Sequence, residues 1–380
     1  MFDRRQFIQL GGAAGALLGL PRIALAGRAA GGQKRLLFII QRGAADGLAI
    51  VAPTGDPAYV GLRGDLAADV SHGTKLDSMF SLHPAMARTA QLFQARQALF
   101  VHAVASPYRD RSHFDGQNVL ETGASGPYRV KDGWMNRLLA ELPGDKAVAL
   151  APSVPMALRG ANAVSSYAPS NLPDAPDDLM LRIGDLYAAD KQLGPLWSEA
   201  QSARKMAGDV TSADSGKAAG DLAARMMAGP AGARVAMIET NGWDTHNGQN
   251  GRLANQLKGL DAMVGAFRDG MGADWNNSLV LVATEFGRTA HANGTGGTDH
   301  GTGSMAMLLG GGLQGGRVLA DWPGLSNGAL YQARDLKPTT DLDALIATAL
   351  SQHFALDPAR TSGLLFPETR PAALRQTLVA

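Results

Sequence analysis

Asp46, Asp244, His246, Glu285, Asp299 and His300 all follow short apolar runs of the chain. Carboxylates mixed with imidazoles form a donor set for a hard or borderline divalent cation: zinc, calcium, magnesium or manganese, as one ion or two. Each residue also has an ordinary reading. Asp-Gly is a turn, an Asp after a strand is a helix N-cap, and an isolated His is a satisfied polar group. Their shared placement after apolar runs favours a metal centre. A second group, Arg109, Arg111, Ser112 and His113, stands where a strand gives way to a helix and is the candidate catalytic set. A serine at a helix start meets unpaired backbone amides and the helix dipole, which favour an anionic phosphoryl or sulfuryl group. Guanidinium forks at Arg109 and Arg111 match the oxygens of such a group in geometry and charge. Ser112 reads equally as the N-cap of that helix, with Asp115 in a capping-box-like role, and the two roles are compatible.

The elements that must carry these residues are legible as alternating strands and helices. Arg35–Gln41 (RLLFIIQ), Ala98–Val104, Arg234–Glu239, Leu279–Thr284 and, more weakly, Ser304–Leu309 read as buried strands. Helical patterns fall between them, around His83–Ala95, His113–Glu121, Gly133–Glu141, Gly251–Arg268 and Asp341–Phe354. The alternation predicts an α/β fold with a largely parallel central sheet flanked by helices, and ligands in such sheets lie beyond the carboxyl ends of the strands. From about 142 to 230 the chain turns rich in Pro, Ala, Ser and Asp, which reads as a cap or insertion over the sheet.

Composition narrows the function. With 35 basic and 34 acidic residues among 380, the net charge of +1 excludes a strong electrostatic footprint for nucleic acid. The absence of cysteine excludes disulfides, thiolate zinc sites, iron-sulfur clusters and a Cys nucleophile. The glycine-rich stretch 294–303 lacks the Gly-Lys-Ser/Thr of a phosphate-binding loop. At the N-terminus, Arg4-Arg5 precedes a weakly apolar run, and Ala24-Leu25-Ala26 supplies a small-x-small cleavage site. Residues 1–26 therefore read as a twin-arginine signal peptide, delivering a mature chain of residues 27–380 to the periplasm or outside the cell. Pro21-Arg22 interrupts the apolar run, so no stable membrane span is expected after cleavage.

Five blocks in order carry a resemblance: Arg42–Gly47, Ala105–Asp115 (ASPYRDRSHFD), Gly242–His246 (GWDTH), Thr284–Thr289 (TEFGRT) and Gly297–Gly301 (GTDHG). Together they are similar to the DUF1501 family of exported bacterial proteins, which resembles the alkaline phosphatase and sulfatase superfamily in fold. The resemblance implies a metal centre in which Asp46 matches the first-strand ligand, Asp244 and His246 the second-metal motif, and His300 a distant ligand. Two departures stand out. The Asp244-x-His246 spacing is shorter than the superfamily pattern, and Glu285-Phe286 occupies the place of an Asp-His pair. The resemblance leaves Asp299 as a substitute ligand or as a residue that orients an imidazole. Ala105 stands where sulfatases carry the Cys or Ser that becomes formylglycine, which argues against standard sulfatase chemistry. The implied activity is metal-dependent hydrolysis of a phosphate or related anionic ester, small or carbohydrate-type, with Ser112 or a metal-activated water as nucleophile. The competing reading is a metal-stabilised binding or assembly protein on a degenerate hydrolase scaffold, its protein partner unknown.

Overall fold

Strand β1 (Arg35–Gln41) is buried at every position, as its apolar run Leu36–Ile40 must be when both faces of its sheet are covered. In the computed structural model, which describes residues 33–169, 177–207 and 215–379, β1 lies inside a nine-stranded sheet. The other strands of that sheet are β5 (Ala98–Ala105), β6 (Ala147–Ala149), β7 (Ser165–Ser166), β8 (Val235–Thr240), β9 (Ser278–Ala283), β10 (Ser304–Leu309), β11 (Arg317–Leu319) and β12 (Thr340–Asp341). Their order is β11-β5-β10-β9-β1-β8-β6-β7, with β12 beside β5. A small separate sheet holds β2 (Val51–Ala52), β3 (Thr74–Lys75) and β4 (Ser81–Leu82). The export-signal reading falls on residues outside those described.

Direction in this sheet places the site. β1 pairs in parallel with β8 and with β9, Leu36 facing Val235 on one side and Leu279 on the other. β10 runs antiparallel to both β9 and β5. β5 therefore points the same way as β1, and β10 starts where the others end. The turn after β1, the loop after β5, the segments after β8 and β9 and the segment before β10 all emerge at one edge. Those five segments are the ones the sequence marked for chemistry.

Alternation along β1 feeds two core layers. Leu37 and Ile39 join one layer with residues of the helices Ala87–Gln94, Gly216–Met227 and Gln249–Met271. Leu36, Phe38 and Ile40 join the other, with the helices Trp134–Leu139 and Leu342–Phe354, and the Phe38 and Trp134 rings meet edge to face at 5.3 Å. Residues 142–230 give β6 and β7 to one end of the main sheet, and the helix Gly216–Met227 from this stretch lines the first core layer.

Candidate metal centre

The helix His113–Thr122 begins straight after the loop that leaves β5. Ser112 holds the N-cap position with extended backbone (φ −94°, ψ 125°), yet its hydroxyl makes no capping hydrogen bond. Just before it, Arg111 adopts the left-handed conformation, φ 61°, which a non-glycine residue keeps only where its surroundings hold it. The constraint is visible: its guanidinium meets the buried Asp335 carboxylate at 2.8 Å and Gln332 Oε1 at 2.7 Å. The turn aims the Arg111 carbonyl at His300 Nδ1, 3.1 Å away. Arg109 folds onto the backbone carbonyls of Ser106 and Tyr108.

Three imidazoles meet at this edge. His300 Nε2 lies 2.9 Å from His113 Nε2 and 3.0 Å from His246 Nε2. Asp244 Oδ1 is 3.0 Å from His246 Nε2 and 3.3 Å from His300 Nε2, and Asp244 Oδ2 is 3.5 Å from His113 Nε2. His113, Asp244 and His300 each offer one ligand atom within a 4.8 Å span.

The far nitrogens fix the tautomers. Nδ1 of His113 faces Glu285 Oε1 at 2.8 Å, Nδ1 of His246 faces Asp299 Oδ1 at 3.0 Å, and Nδ1 of His300 faces the Arg111 carbonyl. A carbonyl or carboxylate only accepts, so each Nδ1 carries a proton, which leaves each Nε2 as the nitrogen that would face an ion. A cation among these atoms would take the Nε2 lone pairs of the three imidazoles and an oxygen of the Asp244 carboxylate. This donor set suits a borderline ion such as zinc and offers little to calcium or magnesium, which take oxygen ligands.

The surrounding groups hold the charge states. Burial pushes the Glu285 carboxyl up, but hydrogen bonds from His113, Gln117 and the Gly43 amide outweigh it and hold Glu285 below the usual carboxylate range. The same Glu285 bond raises His113, whereas burial, and then the charge of His113, lowers His300. Asp244 is penalised by burial and held down overall by Arg288, whose NH1 donates to Oδ1 at 2.6 Å. Hydrogen bonds from Asn293 and then His246 hold Asp299 low. Phe286 is a buried wall, its ring 5.0 Å from that of His113 and 5.4 Å from that of His300.

Asp46 is engaged elsewhere. Its Oδ2 accepts from the fully buried Arg63 and from Gln249 Nε2, and its Oδ1 caps the Leu48 amide at 3.2 Å. The structure thus brings Asp244, His246, His300 and His113 together, with Glu285 and Asp299 behind the imidazoles. The guanidiniums of Arg109 and Arg111 point to other acceptors. Gln117, Gln249, Arg63 and Arg288 had no assigned role in the sequence reading. Only Arg288 carried a signal, its place in the Thr284–Thr289 block.

The sequence signature of the family called protein of unknown function (DUF1501) spans residues 33–363, and the chain belongs to that family. No curated protein matches the chain. Among solved structures it is similar to the C-terminal periplasmic domain of EcEptC from Escherichia coli in complex with Zn, at 10% identity over 92% of this chain and 93% of that one, TM-score 0.38. A protein in the alkaline phosphatase superfamily from Vibrio parahaemolyticus is 12% identical over 90% and 71%, TM-score 0.35. Alkaline phosphatase from the Antarctic bacterium TAB5 is 12% identical over 74% and 93%, TM-score 0.32.

Proposed function

We propose that this DUF1501 protein is an exported metal-dependent hydrolase of phosphate or related anionic esters. The observation that carries the reading is the inward convergence of three Nε2 atoms on the Asp244 carboxylate, each imidazole held from behind by an acceptor. His113, His300 and Asp244 would hold the ion, with His246 as a further donor. A bound ion supplies a Lewis acid for an ester oxygen. Ser112 then serves as nucleophile. It lies between Arg111, whose carbonyl orients His300, and His113, and its hydroxyl is not spent on capping the helix. Glu285 and Asp299 keep the protons of His113 and His246 on Nδ1, away from the ion.

The test combines elemental analysis of protein purified without chelator with a panel of phosphate monoesters, diesters and sulfate esters. Metal content with turnover supports the reading. Metal-loaded protein inert on every ester overturns it. Ser112→Ala separates nucleophiles: a loss of several orders of magnitude with intact metal supports attack by Ser112, and a modest loss supports attack by water.

One observation favours a binding or assembly protein instead. The Arg109 and Arg111 guanidiniums are committed to protein acceptors, which removes the expected clamp for a transferring anion. The proposal extends to residues 27–380 as the mature chain, with a twin-arginine route to the periplasm or beyond. Among the described residues no helix is long and apolar enough to cross a membrane.

A further inference from the structure

We infer that the centre is built for a single cation, with Arg288 as the fixed positive charge beside it and Asp46 serving Arg63 in place of a second ion. The inference rests on the metal reading above. It turns on three features.

His300 contributes one lone pair. Its Nε2 is the atom nearest both other imidazoles, 2.9 Å from His113 and 3.0 Å from His246, and an imidazole nitrogen cannot bridge two ions. Without His300, a second ion at His246 would keep that imidazole and a shared Asp244, fewer than the three protein ligands of a catalytic zinc.

Asp244 already has a cationic partner. The Arg288 side chain is fully buried, with NH1 2.6 Å from Asp244 Oδ1. Its Nε donates to the Thr298 hydroxyl at 3.2 Å and its NH2 to the Thr298 carbonyl. An always-charged group pinned this way cannot withdraw to admit another cation.

Asp46 is already committed to a cation and to two further donors, which occupy three of the about four lone-pair sites of its carboxylate. The Arg63–Asp46 ion pair is buried on both sides, 0% and 1% exposed, and Gln249 Nε2 shares the same oxygen at 2.5 Å. Gln249 cannot turn away, because its Oε1 accepts the Thr245 hydroxyl at 2.9 Å and the Thr298 hydroxyl at 2.6 Å. Thr298 also holds Arg288. One network therefore runs from Arg63 through Asp46, Gln249, Thr298 and Arg288 to Asp244, and its positive charges are guanidiniums.

The experiment strips the wild-type protein with chelator, titrates it with zinc by calorimetry, and counts bound metal by elemental analysis. One equivalent is expected. Asp46→Asn combined with Arg63→Gln removes both members of the buried pair, so neither charge is orphaned, and this variant should still bind one equivalent at undiminished affinity. His300→Ala should bind none. Two equivalents in the wild type overturn the single-ion inference and leave the hydrolase reading standing. Loss of zinc from a folded double variant, verified by circular dichroism, does the same by making Asp46 a ligand. Zero equivalents in the wild type overturn both.

Discussion

Glu285 decides which nitrogen of His113 faces the cluster. Its Oε1 takes hydrogen bonds from the Gly43 amide at 2.8 Å, from His113 Nδ1 at 2.8 Å and from Gln117 Nε2 at 3.1 Å. Gln117 cannot flip its amide, because Arg42 donates to its Oε1 at 2.7 Å. Replacing Glu285 by Gln removes the charge that steadies the Nδ1 proton, and outer residues of this kind are worth about 10–100-fold in metal affinity. Glu285→Gln is therefore expected to weaken zinc binding by about that factor in chelator competition, and unchanged affinity would separate Glu285 from the centre. Gly43 offers a second test. Its φ is +116°, and a Cβ there would come within 2.6 Å of the Asp244 amide nitrogen. Gly43→Ala is expected to cost about 1–3 kcal/mol through backbone strain, read by urea denaturation, and to weaken metal binding by displacing Asp244. The sequence had already singled out Asp244, His246, His300 and His113, because apolar runs announce their own ends. It assigned His113 to catalysis and Asp46 to the metal. The structure adds contact between distant segments: Glu285 meets the Nδ1 of His113, and Arg63 from the helix Tyr59–Arg63 pairs with Asp46. No local pattern in the chain encodes that Arg63 reaches Asp46.

The helix Leu342–Phe354 shows how an element can carry a titration. Asp341 caps it by accepting from the amides of Asp343 and Ala344, which leaves Asp343 buried, with a hydrogen bond from Thr369 at 3.3 Å. Burial, reinforced by the neighbouring Asp341, pushes Asp343 up to about 8. Unfolded, the group ionises near its ordinary value of 3.8. Between those two values the native state binds the extra proton, so stability falls as pH rises from about 4 to about 8. Asp343→Asn should abolish this component. The variant is expected to match wild type near pH 4 and to exceed it by a few kcal/mol at pH 8 in urea midpoints, and a stability difference independent of pH would refute the assignment. His102 in β5 acts in the opposite sense. Its Nε2 donates to the Val51 carbonyl at 2.9 Å while Nδ1 accepts the Ala103 amide, and burial lowers it to about 4. It stays neutral in the fold, so its contribution is lost as pH falls below about 6.5. The elements themselves were well marked. The predicted strands 98–104, 234–239 and 279–284 are β5, β8 and β9 to within a residue or so, and 304–309 is β10. No pattern in the chain marked β6, β7, β11 and β12, because strands of two or three residues carry no periodicity. The antiparallel course of β10 was equally hidden, since direction depends on which edge the preceding loop returns to.

The whole described chain is organised so that one sheet edge can be remodelled while both core layers stay intact. The loops that carry the centre leave β1, β5, β8 and β9 and enter β10, whereas the strands themselves are sealed between two apolar layers. Export belongs to the chain as well. If the arginine pair directs a folded protein outward, Arg4→Lys with Arg5→Lys should leave precursor in the cytoplasm, and an unchanged periplasmic yield would discard that route. Metal bears on the same architecture. An ion that binds only the native state adds RT ln(1 + [L]/Kd), about 2.7 kcal/mol at a hundredfold excess over Kd, so Tm should rise with free zinc and fall with chelator. The distribution of the effect distinguishes a ligand centre from general stabilisation. An ion held by His113, His246, His300 and Asp244 would steady first the segments that carry and back those side chains, residues 42–47, 106–113, 241–248 and 285–303. β1, paired on both sides and buried at every position, does not touch that charge. Hydrogen exchange on chelated protein should therefore rise in those four stretches and stay unchanged in β1, β8 and β9. Exchange that rose uniformly across the sheet would mean that the ion stabilises the whole fold. Exchange that rose nowhere would mean that these imidazoles and Asp244 hold no ion.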